Sequence, residues 1–307
     1  MTDKIKQAYR LMEKCSICPR RCGVNRLKGQ VGFCKAGLLP MVSSFHGHFG
    51  EEPPISGRNG SGTIFFTHCS LRCVFCQNYP ISQLSQGKEV SVKELAEMML
   101  KLEREGCHNI NFVTPTHYMP QILEAVFIAK EKGLKIPLVY NCGGYESMEA
   151  LEILDGIIDI YMPDMKYSSD AAAKKYSNAP DYFKINKAAV KEMYRQVGGL
   201  KIEKGIAKRG LLIRHLVLPG DLAGSQKIFE FIADELSPDI YVNIMAQYYP
   251  CHLAFKFPEI SRRIRHAEYM EALRIAKEKG LSGGFRQVLN TIDRSRIPEW
   301  TDDLKDR

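Results

Sequence analysis

The chain has 307 residues, 45% hydrophobic and 25% charged, with 43 lysines and arginines against 35 aspartates and glutamates for a net charge of +8. This is the ordinary globular mixture; it excludes a disordered chain and suits one large domain with a small appendage, or two ordinary domains. The positive charge is scattered, densest at Lys130–Lys135 and Arg262–Arg265, without the aromatic–basic interleaving of a nucleic-acid groove, so a nucleic-acid partner is not expected.

The first residues, Met1-Thr2-Asp3-Lys4-Ile5-Lys6, lack the apolar stretch of a signal peptide. No run approaches the roughly 18 apolar residues of a membrane span. The expectation is a cytoplasmic protein with no membrane partner. Residues 1–14 read as a short helix. Residues 15–60 lose that periodicity, and Gly47, Gly50, Pro53, Pro54, Gly57 and Gly60 punctuate their end. So short a stretch cannot build its own core, and it reads as a metal-stapled module with a connecting segment.

A rhythm begins at residue 62. Thr63–Thr67 is an apolar run of strand length, followed by a helical pattern over Val92–Glu105. Strand candidates at Ile110–Thr114, Pro137–Asn141 and Ile157–Met162 alternate with helices near Met119–Lys132 and Ser147–Leu154. A long helical region covers roughly 170–208. Strands at Leu211–Leu218 and Ile240–Met245 then precede helices at Leu222–Glu235 and His266–Lys279. Six short apolar runs alternating with amphipathic helices mean βα units around a parallel sheet. The expected fold is α/β, a partial, TIM-like (β/α)6 open barrel. The expected division is a cysteine-rich module and connector over 1–60, a core over 61–250 and a helical extension over 251–307. No Gly-x-Gly-x-x-Gly follows a strand, which sets aside a dinucleotide-binding sheet.

The ten cysteines matter by placement. In a reducing compartment, clustered thiols read as metal ligands rather than disulfides. Cys15, Cys18, Cys22 and Cys34 follow the spacing C-x2-C-x3-C-x11-C. Four thiolates satisfy a tetrahedral zinc site or a fully ligated iron–sulfur cluster, and both identities stay open. Cys69, Cys73 and Cys76 form C-x3-C-x2-C just past the first core strand, at the sheet end where βα folds bind ligands. Three thiolates around a cubane leave one iron open; a zinc site with a distant fourth ligand is the alternative. His46, His48, Glu51 and Glu52 lie between the two sets as ligand or substrate contacts, or as a solvated loop.

The stretch Cys69-x-x-x-Cys73-x-Phe75-Cys76, with its aromatic before the last cysteine, resembles the hallmark of the radical S-adenosylmethionine (SAM) superfamily. The resemblance implies that Cys69, Cys73 and Cys76 bind a [4Fe–4S] cluster whose open iron chelates SAM. It implies reductive cleavage to a 5′-deoxyadenosyl radical that abstracts a hydrogen atom, with Phe75 near the adenine. Later strand ends carry further likeness. Thr114-Pro115-Thr116-His117 departs from the family's Gly-Gly-Glu, leaving the Thr114 and Thr116 hydroxyls as replacement contacts. Asn141-Cys142-Gly143-Gly144 resembles a Thr-Asn-Gly stretch, which directs Asn141 to the ribose or methionine. Asp164-Met165-Lys166 resembles an Asp-x-Lys that helps hold SAM. Arg214, five residues before Pro219-Gly220, resembles an arginine that approaches the SAM carboxylate. A charge there needs a carboxylate partner, either SAM or an aspartate of the protein.

The likeness is to the pyruvate formate-lyase activating enzyme-like branch. It implies an oxidoreductase that activates a glycyl radical enzyme as its protein partner and draws electrons from a donor such as flavodoxin or ferredoxin. Radical SAM modification of another small molecule or peptide is the alternative. A non-catalytic iron–sulfur electron carrier is the alternative of another class.

Overall fold

The computed structural model describes residues 2–287. Helix α1 (Thr2–Glu13) buries Ala8 and Met12, and Lys4 donates to the carbonyls of Ile153 (2.9 Å) and Asp155 (2.6 Å). A mostly irregular segment follows, then β1 (Met41–His48), the short helix α2 (Pro53–Ser56) and β2 (Ser61–Phe66). Next come α3 (Tyr79–Ser82), the two-residue β3 (Lys88–Glu89), α4 (Val92–Arg104), β4 (Ile110–Val113), α5 (Met119–Glu131) and β5 (Leu138–Cys142). The second half holds α6 (Met148–Leu154), β6 (Ile160–Pro163), α7 (Asp170–Ser177), α8 (Tyr182–Val197), β7 (Lys201–Glu203) and β8 (Ile206–Leu216). It ends with α9 (Ser225–Glu235), β9 (Tyr241–Met245) and α10 (His266–Glu278). Local chemistry sets the helix starts: Ser91 caps α4 in a capping box, its Oγ accepting from the Glu94 amide while Glu94 accepts from the Ser91 amide.

Six strands, β2–β4–β5–β6–β8–β9, run parallel. Every residue of β2, β4 and β6 is buried, which is why these strands are rich in apolar residues and show no alternation of buried and exposed positions. Among the described residues no pairing joins β9 to the β1–β3 edge, so the sheet is an open, partial barrel. No helix among them is long and apolar enough to cross a membrane.

Two stretches differ from the sequence reading. The connector contains β1, which lies antiparallel along β2 from Val42↔Phe66 to His48↔Ser61. The expected division at residue 60 therefore falls between two hydrogen-bonded strands. The helical region expected to reach 208 stops at Val197, and residues 201–209 form a hairpin between β7 and the start of β8. Lys204 and Gly205 both have positive φ (50° and 82°), the signature of a tight hairpin turn, and this outweighs the helix preference of the surrounding Lys, Glu and Ala. Of the expected extension over 251–307, α10 packs against α9, and residues 288–307 lie outside the described residues.

Candidate functional site

At the carboxyl end of β2 the chain turns through His68 (φ 69°) into the loop Cys69–Cys76. The loop is pinned by its backbone. The Arg72 amide donates to the Ser177 carbonyl (2.9 Å), Val74 to Tyr176 (2.8 Å) and Leu253 to Val74 (2.8 Å). Each sulfur has a polar neighbour: the Leu71 amide at 3.3 Å from Cys69 Sγ, Ser177 Oγ at 3.0 Å from Cys73 Sγ and Ser82 Oγ at 3.2 Å from Cys76 Sγ. Burial pushes the Cys69 and Cys76 thiols up to about 12. Bare thiolates are thus disfavoured there until a cation offsets the lost hydration.

All three cysteines line one cavity of about 870 Å³. Phe75, Thr114, Asn141, Asp164, Lys166 and Arg214 line it too, so the sheet brings together all but Thr116 of the residues that the resemblance implies for the cluster and SAM. Asp164 and Lys166 form an ion pair at 2.6 Å. Burial alone would lower Lys166, but the charges of Asp164 and Cys73 outweigh it and hold the ammonium. Phe75 is buried edge-on against Tyr248 (5.5 Å) and presents an apolar wall.

Two placements depart from expectation. Thr116 does not line the cavity. It is buried, and its hydroxyl donates to Glu146 Oε1 (2.7 Å) while the Tyr140 hydroxyl donates to the other oxygen (3.1 Å). Burial raises the Glu146 carboxyl to about 7. The carboxylate partners of Arg214 are Glu51 and Glu52, not an aspartate. Its Nε and Nη2 donate to Glu52 at 2.8 and 2.7 Å in a bidentate pair, and Nη2 also meets Glu51. Asn243 and Asn111 donate to the same glutamates at 2.5 and 2.9 Å. Burial would raise Glu52, but Arg214 prevails and holds it below the usual carboxylate range. Among the cavity residues the sequence reading passed over are Asn243, Gln247 and Gln287, whose types carry no signal by themselves.

Behind this site lies the other cysteine set. Cys15, Cys18 and Cys34 are buried and Cys22 is exposed. The Cys15 amide donates to the Val24 carbonyl (2.9 Å) and the Gly23 amide to the Cys15 carbonyl (3.1 Å), which folds the segment on itself. A Cβ at Gly32 would lie 2.4 Å from Cys22 Sγ, so a larger residue there would displace that thiol. Among the described residues no three Cys, His, Asp or Glu side chains converge on a position for a single metal ion. Cys69, Cys73 and Cys76, three thiols lining one cavity, fit a cluster held by three protein sulfurs with space beside its remaining iron.

Comparison with known proteins agrees with this geometry. A family model described as the Radical SAM superfamily matches residues 63–221, about half of the chain. The uncharacterized protein MJ0674 of Methanocaldococcus jannaschii is 33% identical over 288 residues, covering 91% of this chain and 78% of the relative. A second uncharacterized protein of that organism, MJ0808, is 23% identical over 301 residues, covering 90% and 80%. Among solved structures, Streptococcus suis SuiB bound to S-adenosylmethionine superimposes with a TM-score of 0.52 at 12% identity, over 75% of this chain and 51% of SuiB. HydG, a maturase of the [FeFe]-hydrogenase, gives 0.50 at 12% identity, over 71% and 49%. This chain thus spans about half the length of both solved proteins, and the likeness to them is one of fold.

Proposed function

The chain belongs to the radical SAM superfamily, and on that premise we propose that Cys69, Cys73 and Cys76 hold its [4Fe–4S] cluster and that the cavity beside them receives SAM and the hydrogen donor. When bound, the cluster supplies an open iron for SAM and the electron that cleaves its carbon–sulfur bond to a 5′-deoxyadenosyl radical. The observation that carries this reading is that the three thiols and the Asp164–Lys166 pair open into one cavity.

The chain's own residues have distinct tasks. Holding the iron would fall to the three sulfurs, each beside an amide or hydroxyl group that orients it. Phe75 offers the adenine an apolar face. Lys166, kept charged by Asp164, is placed for the carboxylate of SAM, and Asp164 for its amino group. Glu51 and Glu52 against one Arg214 leave one negative charge in excess, which suits the sulfonium of SAM. Arg214 itself is held by those glutamates rather than free to grip SAM.

Within this chemistry we assign the hydrogen donor to a glycine of a partner glycyl radical enzyme. The support is the likeness at Asp164–Lys166, together with a cavity of about 870 Å³ beside the three thiols. Anaerobically reconstituted, dithionite-reduced protein should form 5′-deoxyadenosine, and Cys73→Ala should not. Absence of product from protein with a full complement of iron and sulfide, with and without the candidate partner, would overturn the reading.

A further inference from the structure

We propose that Cys15, Cys18, Cys22 and Cys34 hold a second iron–sulfur cluster, joined to the first through Arg20 and Arg72 and serving as the entry point for electrons. The relay rests on the function proposed above; the second cluster itself does not.

The four cysteines share one neighbourhood. Cys15 lies within electrostatic range of Cys22 and Cys34, and Cys18 of Cys15 and Cys34. The segment that carries them has one short 3-10 turn, Arg26–Lys28, as its regular structure before β1. Such a segment lacks a core of its own, and a metal centre is the usual means of fixing one.

Arg20 and Arg72 stand between the two cysteine sets. Both lie over the Phe33 ring, at 3.4 and 4.8 Å from its centroid, so two guanidinium groups share one aromatic side chain. Arg20 donates to the carbonyls of Ser70 (2.5 Å) and Asn178 (2.5 Å). Arg72 donates to the carbonyls of Cys69 (2.9 Å), Leu71 (3.1 Å) and Phe33 (2.6 Å). Among the described residues no salt bridge gives either arginine a carboxylate partner. Like charges crowded into a half-buried layer need an anion. Arg20 follows Cys18 by two residues and meets the Ser70 carbonyl next to Cys69. Metal-bound thiolates on both sides supply the missing negative charge.

The same residues make two short connections. One runs Cys18-Pro19-Arg20 to the Ser70 carbonyl beside Cys69. The other runs Cys34-Phe33 to Arg72 and the Cys69 carbonyl. A zinc ion has no redox role in such a path. The outer end of the module suits a donor. Cys22 is exposed, Leu27, Val31, Leu38 and Leu39 are exposed apolar residues, and residues 14–50 contain no aspartate or glutamate. The matching partner is an acidic, low-potential electron-transfer protein. It gives up one electron and is oxidised; the second cluster goes from 2+ to 1+, then returns to 2+ as the first is reduced from 2+ to 1+.

The test is anaerobic reconstitution of the full chain and of a variant carrying Cys69→Ala, Cys73→Ala and Cys76→Ala together. The expected variant keeps about half of the wild-type iron and sulfide, about four of each per chain, and shows an EPR signal when reduced. Zinc in place of iron, or a folded variant with no metal, overturns the proposal. Because this variant has no SAM site, its result is independent of whether the wild type cleaves SAM. Should it fail to fold, Cys22→Ser at the exposed thiol serves instead: the expected loss is again about half of the iron, and an unchanged iron content overturns the proposal. In reduced wild type the two EPR signals should broaden each other; two sharp, additive signals overturn the relay.

Discussion

The loops Cys69–Cys76 and Cys15–Cys34 are built from the same reactive side chain but are held in opposite ways. The first hangs from the end of a buried strand, is clamped by α7, and turns three sulfurs toward a cavity. The second has no strand beneath it. It is folded on itself by backbone bonds and anchored by Arg26, fully buried, which donates to the carbonyls of Gly37 and His117. Three of its four thiols face inward. Three thiols beside space leave a metal centre with room for substrate; four thiols without such space close it. The fold, more than the cysteine, decides which chemistry each loop supports.

The largest effect that would sharpen this contrast is on catalysis. Cys73→Ala should reduce 5′-deoxyadenosine formation to background while leaving the iron of the other loop in place, measured by product chromatography beside iron analysis. Next in size is Arg214→Met, which strands Glu51 and Glu52 as unpaired buried charges. It should cost about 3–5 kcal/mol in urea unfolding; a loss under 1 kcal/mol would mean that the glutamates are solvated.

Glu146 sits at the boundary between the loops, next to Ser147, whose hydroxyl donates to the Ile17 carbonyl (2.9 Å). Its carboxyl is raised from 4.5 to about 7 by burial. The folded state therefore holds this proton more tightly than the unfolded one. The stabilisation is full below pH 4.5 and is lost as pH rises through about 7, on the order of 3 kcal/mol. Glu146→Gln should remove that slope from a series of denaturation curves, and an unchanged slope would assign it to another group. The smallest effect is that of Thr116→Val. It should cost about 1 kcal/mol through the lost bond to Glu146 and leave SAM affinity as it was. Thr114→Val, at the cavity wall, should weaken SAM binding in the same calorimetric titration.

The parallel half of the sheet was legible because its buried strands are rich in apolar residues, as in Ile110, Phe112 and Val113, and because the helices between them keep a clear period. The cavity residues after each strand followed from that order. β1 was not legible, since its Gly47 and the glycines and prolines after it look like loop while its pairing is set by β2. The partners of Arg214 were hidden for a different reason. Glu52 is 162 residues away in the chain, and no local pattern carries a contact of that span. Thr116 points away from the cavity because it opens a 3-10 turn, whose tight geometry directs it to Glu146.

The absence of any carboxylate from residues 14–50 has a consequence for how the module meets other molecules. Five of its six lysines and arginines, all but the buried Arg26, are at least partly exposed, and no acidic side chain of their own segment offsets them. Attraction to an acidic protein is then governed by ions in solution, with a screening length of about 8 Å at physiological strength and about 3 Å at 1 M. Salt is the natural dial on traffic to this face.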